Sequence, residues 1–132
     1  MALLLALADA LGRTERVREA LETFREAGAV ALQVGSPVDL AQAALGVEEM
    51  ELYTGSARGS VELLEAALRA LSPSETVERC RVLSQLGRAL LDTGEIERAN
   101  ELARAARDMA RRLGDRRALL YALICEGAGA LV

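Results

Sequence analysis

The chain has 132 residues, enough to bury a core, so one structural unit spanning 1–132 is expected. Hydrophobic residues make up 52% of it and aromatic residues only 2%, which implies a core of Leu, Ala and Val packed along helices and excludes a typical sheet protein. The net charge of −4 leaves no basic face for phosphate backbones, so direct nucleic-acid binding is not expected; that every basic residue is Arg reads as the habit of a GC-rich bacterial genome.

The apolar run from Ala2 to Ala8 has no basic region before it and no small-residue cleavage site after it. It continues into an amphipathic pattern, so it predicts a helix over 2–12 rather than a signal peptide or membrane span. A second helix over 15–34 ends at the turn residue Gly35. Ser36-Pro37-Val38-Asp39 then supplies an N-cap, a proline at the first helical position and an acid at the third, opening a helix over 37–53. Within it Glu48, Glu49 and Glu51 do not converge on one point and are expected on a solvated face. Gly55 to Ser60 leads into a helix over 57–71; that N-terminus can accept an anion, but a plain turn and cap is favoured.

Ser72-Pro73-Ser74-Glu75 repeats the earlier start signal and opens a helix over 74–92. After Gly94 comes a helix over 95–113, in which Ile96, Ala99, Leu102, Ala103, Ala106, Met109, Ala110 and Leu113 form one apolar face. Gly114 and the capping residue Asp115 lead into a last helix over 116–131. Short connections make neighbouring helices antiparallel.

The chain repeats itself. Laying Leu7–Gly35 over Leu86–Gly114, a shift of 79, aligns Leu11 with Leu90, Ala20 with Ala99, Ala27 with Ala106 and Ala31 with Ala110. Gly46, Gly87 and Gly127, spaced by 41 and 40, lie inside apolar helical stretches, so the shift reads as two repeats of about 40 with close helix approach at each glycine.

Leu83, Leu86, Gly87, Leu90, Gly94, Ala99 and Ala106 stand at the spacing of the tetratricopeptide signature. The segment resembles one such repeat, with Leu83 and Leu90 where bulky aromatics are usual and Arg111 where a proline is usual. The longer period, with Arg112-Leu113-Gly114-Asp115 and Leu63-Leu64-Glu65-Ala66-Ala67-Leu68, resembles the repeat arrays of large bacterial signal-transduction ATPases of the LuxR and antibiotic-regulatory type. That resemblance implies an all-α, α-α superhelix of about seven antiparallel helices, a tetratricopeptide-like solenoid that binds a protein or peptide segment in its groove within a transcriptional or signalling regulator. It further implies that first helices line the groove, with Val47 and Met50, then Arg81, Ser84 and Arg88, then Tyr121 and Ile124 as candidate contacts. Arg81 and Arg88, two turns apart, are candidates to clamp an acid; two solvated arginines is the plainer reading. The alternative function is a sensor segment that binds a small effector and controls an attached ATPase. The abrupt start at Met1 and the end within a first helix suggest a slice of a longer protein, or a homodimer through the uncapped end.

No chemistry is indicated. The chain has no His, no phosphate-binding loop, no nucleophile elbow and no paired-cysteine metal motif, so neither an enzyme, a cofactor nor a metal is expected. Cys80 and Cys125 are expected as buried small hydrophobes in a reducing cytoplasm. Arg111, Arg112, Arg116 and Arg117 form the densest positive patch, with Asp108 placed to pair with Arg112. No aromatic residue is interleaved with that patch, which argues against single-stranded nucleic acid as its partner.

Overall fold

The computed structural model describes residues 1–54 and 58–130, and no strand occurs among them. Seven α-helices follow in order: α1 (Ala2–Arg13), α2 (Val17–Val34), α3 (Pro37–Thr54), α4 (Arg58–Ala70), α5 (Val77–Asp92), α6 (Ile96–Leu113) and α7 (Arg116–Ala130). The chain divides into two compact units, Met1–Leu71 and Ser72–Val132.

In the first unit α1 packs on α2, α2 on α3, α3 on α4, and α1 also touches α3. Its core joins Leu5 and Ala8 of α1, Leu21, Phe24 and Ala27 of α2, and Ala43, Val47 and Met50 of α3. In the second unit α5, α6 and α7 each contact both others. Cys80, Leu83 and Leu86 of α5, Ala99, Ala103, Ala106 and Ala110 of α6, and Ala118, Ala122 and Cys125 of α7 are buried there. On the expected apolar face of α6, Ala99, Ala103, Ala106, Met109 and Ala110 are buried, Leu102 and Leu113 are half-buried, and Ile96 at its start is exposed.

The shift of 79 carries from sequence into geometry. In the turn after α1 the Thr14 hydroxyl donates to the Leu11 carbonyl at 3.0 Å; after α5, Thr93 donates to Leu90 at 3.0 Å. The Arg16 N–H reaches Leu11 O and the Glu95 N–H reaches Leu90 O, both at 3.0 Å. Further on, the helix-closing glycines Gly35 and Gly114 take φ values of 70° and 67°. Leu40 N–H bonds to Ser36 O and Leu119 N–H to Asp115 O, again both at 3.0 Å. Two stretches of different sequence thus close the same turns with the same bonds. One position differs: Glu15 holds φ at 62° where the second unit has Gly94 at 87°. A side chain in that left-handed region costs roughly 1 kcal/mol that glycine does not pay.

Helix starts follow their caps. Ser36 precedes Pro37 as expected, and its hydroxyl donates to Asp39 Oδ2 at 2.8 Å. Asp115 accepts from the Ala118 N–H at 2.8 Å. Helix α5, however, starts at Val77 rather than at 74. The Ser72 hydroxyl accepts from the Ser74 N–H and so spends the expected cap on a local turn, while Thr76, in an extended conformation, accepts from the Arg79 N–H at 3.1 Å.

The three helix-interior glycines separate into two kinds. A methyl group on Gly46 would overlap the Phe24 ring, and one on Gly87 would sit 3.0 Å from the Ala99 carbonyl oxygen of α6. Both permit close helix approach. Gly127 meets nothing within 4 Å, and the shift of 79 pairs Gly46 with Cys125, so Gly127 does not extend the series as its spacing suggested. Gly46→Ala is therefore expected to destabilise by about 1–3 kcal/mol in urea unfolding, because the ring is fixed in the core. Gly127→Ala should instead stabilise by about 0.5–1 kcal/mol through helix propensity alone. Glu15→Gly should raise stability by about 0.5–1 kcal/mol by releasing the left-handed strain; an unchanged unfolding midpoint would show that Glu15 is unstrained.

Candidate functional site

The surface that draws together the most sequence-predicted residues lies in the second unit, where α5 and α7 pack side by side. Arg81 on α5 lays its guanidinium over the Tyr121 ring of α7, 5.6 Å from the ring centre. Ile124, one turn further along α7, is 60% exposed. At that distance the guanidinium and the ring make a cation–π contact. Arg88 is half-buried two turns along α5. Ser84 does not share this surface: it is buried, and its hydroxyl has no hydrogen-bond partner.

The first-unit candidates are placed otherwise. Val47 and Met50 are 0% and 6% exposed and belong to the core, and Met50 also lines a cleft at its edge. The cause is the α1–α3 contact, where the Met50 methyl lies 3.2 Å from the position a Cβ on Gly12 would occupy. Beside Met50 opens a cleft of about 390 Å³ lined by Asp9, Arg13, Glu15, Glu49 and Tyr53, over a floor that includes Ala8 and Phe24. Tyr53 is 73% exposed. Sequence reasoning missed this cleft, because it exists only through the pairing of α1 with α3, and no local motif marks which residues that pairing brings together.

Other charged groups are structural. Glu48 and Glu51 are buried, contrary to the solvated face expected for the acidic triplet, of which only Glu49 is exposed. Glu51 accepts the Ser60 N–H of α4 at 3.2 Å and an Arg25 N–H of α2 at 3.0 Å. The helix N-terminus after Gly55 to Ser60, where a plain turn and cap is the favoured expectation over an anion site, thus receives the chain's own carboxylate, which joins three helices; Gly55, Ser56 and Ala57 lie outside the described residues. Arg112 bonds Glu75 at 2.8 Å rather than Asp108, which contacts Arg107 at 3.5 Å. The Arg112 hydrogen bond holds the Glu75 carboxyl below its ordinary range. Arg107 in turn bonds Glu126 of α7 at 2.6 Å.

Both cysteines are buried thiols outside any disulfide. The Cys80 thiol points at the Ala106 carbonyl of α6, 3.2 Å away. Burial, and then the charge of Asp115, pushes that thiol's pKa up. No group of three or more metal-ligating side chains occurs among the described residues. No described helix is long and apolar enough to cross a membrane.

No protein-family model, curated protein or solved structure matches the chain.

The raised Cys80 thiol sets a pH dependence. In the unfolded chain it ionises near its ordinary value of 9.0, while the folded protein keeps it neutral. Its contribution to stability is complete below that value and is lost as pH rises through the higher folded one. Urea midpoints measured from about pH 7 to 10 should fall more steeply for the native chain than for Cys80→Ala. Parallel slopes would contradict the assignment.

Proposed function

We propose that this chain is a non-catalytic docking module that binds an acidic protein or peptide segment across α5 and α7. In this reading it is a tetratricopeptide-like α-α superhelix with a period of about 40, working in the bacterial cytoplasm within a transcriptional or signalling regulator. The observation that carries it is the Arg81–Tyr121 stack on two adjacent first helices, with exposed Ile124 beside it. Arg and Tyr are the residue types that dominate binding energy at protein interfaces, and a preorganised guanidinium beside an apolar contact suits a carboxylate with a hydrophobic neighbour. The repeated turn geometry at a shift of 79 supports the repeat-array part of the reading.

The test is fluorescence polarisation with labelled peptides ending in a Leu-Glu-Glu carboxylate, next to their Gln-Gln amide counterparts. Binding should favour the acidic peptides, fall about tenfold or more in Arg81→Ala, and stay unchanged in Arg111→Ala. Equal affinity for acidic and neutral peptides, or no loss in Arg81→Ala, rejects the reading.

A second reading, a small-effector sensor segment controlling an attached ATPase, is favoured by the first-unit cleft, whose volume lies within the usual range for ligand pockets. Its carboxylates and Tyr53 suit an organic cation. A rise in melting temperature with arginine or a polyamine, lost in Asp9→Asn with Glu49→Gln, would support this reading over docking.

A further inference from the structure

The walls of the first-unit cleft carry an uneven set of charges. Three carboxylates, Asp9, Glu15 and Glu49, face one guanidinium, that of Arg13, with the Tyr53 ring among them. Asp9 and Arg13 stand four apart on α1, the spacing of a helical ion pair. Among the described residues, however, none of these four charged side chains makes an ion pair or hydrogen bond. The floor is apolar, and the chain's one Phe and one of its two Tyr both line this cleft. The internal repeat separates what the fold needs from what the cleft adds. Under the shift of 79, Asp9, Arg13 and Glu15 align with Arg88, Asp92 and Gly94, while Phe24 and Glu49 align with Ala103 and Ala128. The turns after α1 and α5 close with the same backbone bonds, so the second unit makes its turn without this set of side chains. Glu15 even holds a left-handed φ of 62° where Gly94 has 87°, and its carboxylate bonds nothing in return.

We propose that this cleft binds a free basic α-amino acid, of which arginine is the best match; the proposal rests on the effector reading and narrows its ligand. The balance of charge selects the class. A basic amino acid carries two cations and one carboxylate, the complement of three carboxylates and one guanidinium. Arg13 receives the ligand carboxylate through its planar fork of N–H donors, and the three acids receive the α-ammonium and the side-chain cation. The apolar floor takes the methylene stem. Tyr53, 73% exposed, offers its ring to a guanidinium, a contact that the chain itself makes between Arg81 and Tyr121. A diamine would leave Arg13 facing charge of its own sign, and a neutral or acidic amino acid would leave carboxylates without a counterion. Arg13 is thus the residue that tells an amino acid from the amine left when its carboxylate is removed.

Calorimetric titration of the whole chain at neutral pH and low salt, with L-arginine and with agmatine, its decarboxylated counterpart, tests this. Arginine should bind about tenfold more tightly than agmatine. Arg13→Gln should abolish that preference by weakening arginine alone. Glu15→Gly, which releases the left-handed strain, should raise the melting temperature of the ligand-free chain and yet weaken arginine binding about tenfold. A residue with a structural role only would not separate those two readouts. Agmatine binding as tightly as arginine, a preference that survives Arg13→Gln, or an arginine affinity indifferent to Glu15→Gly would each overturn the proposal while leaving the broader effector reading in place. Binding of neither compound to the native chain would overturn both.

Discussion

Everything in this fold depends on helices approaching closely across small side chains. The chain has one Phe and no Trp, so large rings cannot bridge wide gaps between helices. The helices instead come together until alanines and glycines meet the neighbouring backbone, as Gly87 does at the Ala99 carbonyl. Contacts of this kind are dispersion forces of short range, and one added methyl exhausts the space. The single Phe shows the rule from the other side, since Phe24 fits only because Gly46 faces it. At the corresponding positions the second unit has Ala103 and Cys125, both buried, so volume removed from one helix is partly returned on the other.

Close packing also determines where polar groups end up. A buried carboxylate survives only with partners, and Glu51 finds them in the α4 N-terminus and Arg25. Contact between alternate helices within a unit then shapes two surfaces. Where α5 meets α7 it presents the stacked Arg81 and Tyr121; where α1 meets α3 it opens a polar cleft beside Met50. Both are products of one packing rule applied to different side chains.

Much of the architecture was legible because its signals are local. Gly35 and Gly114 marked helix ends and adopt the left-handed conformation that such ends use. Ser36-Pro37 and Asp115 marked helix starts, and all seven helices lie within three residues of the expected spans. The start of α5 was misplaced because Ser72 and Thr76 compete as caps, and the choice turns on a hydrogen bond between neighbouring serines. What depends on tertiary pairing was less legible. The burial of Val47 and Met50 needs knowledge of how α3 sits on α1, and the burial of Glu51 needs the position of Ser60. Asp108 stood at the right helical spacing for Arg112, yet Glu75, distant in sequence, took that arginine. Arg81 and Tyr121 were both foreseen as surface candidates, but their stacking on each other was not.

The packing account is most directly tested at Gly46 by nuclear magnetic resonance of the folded chain. The Phe24 ring lies where a Gly46 side chain would be, so the Gly46 Hα protons sit against it. They should show a large ring-current shift away from ordinary helical glycine values, with strong cross-relaxation to the Phe24 ring protons. Ordinary Gly46 shifts with no cross-relaxation to Phe24 would mean that α2 and α3 do not meet there, and the account of a fold built on small-residue contact would fail.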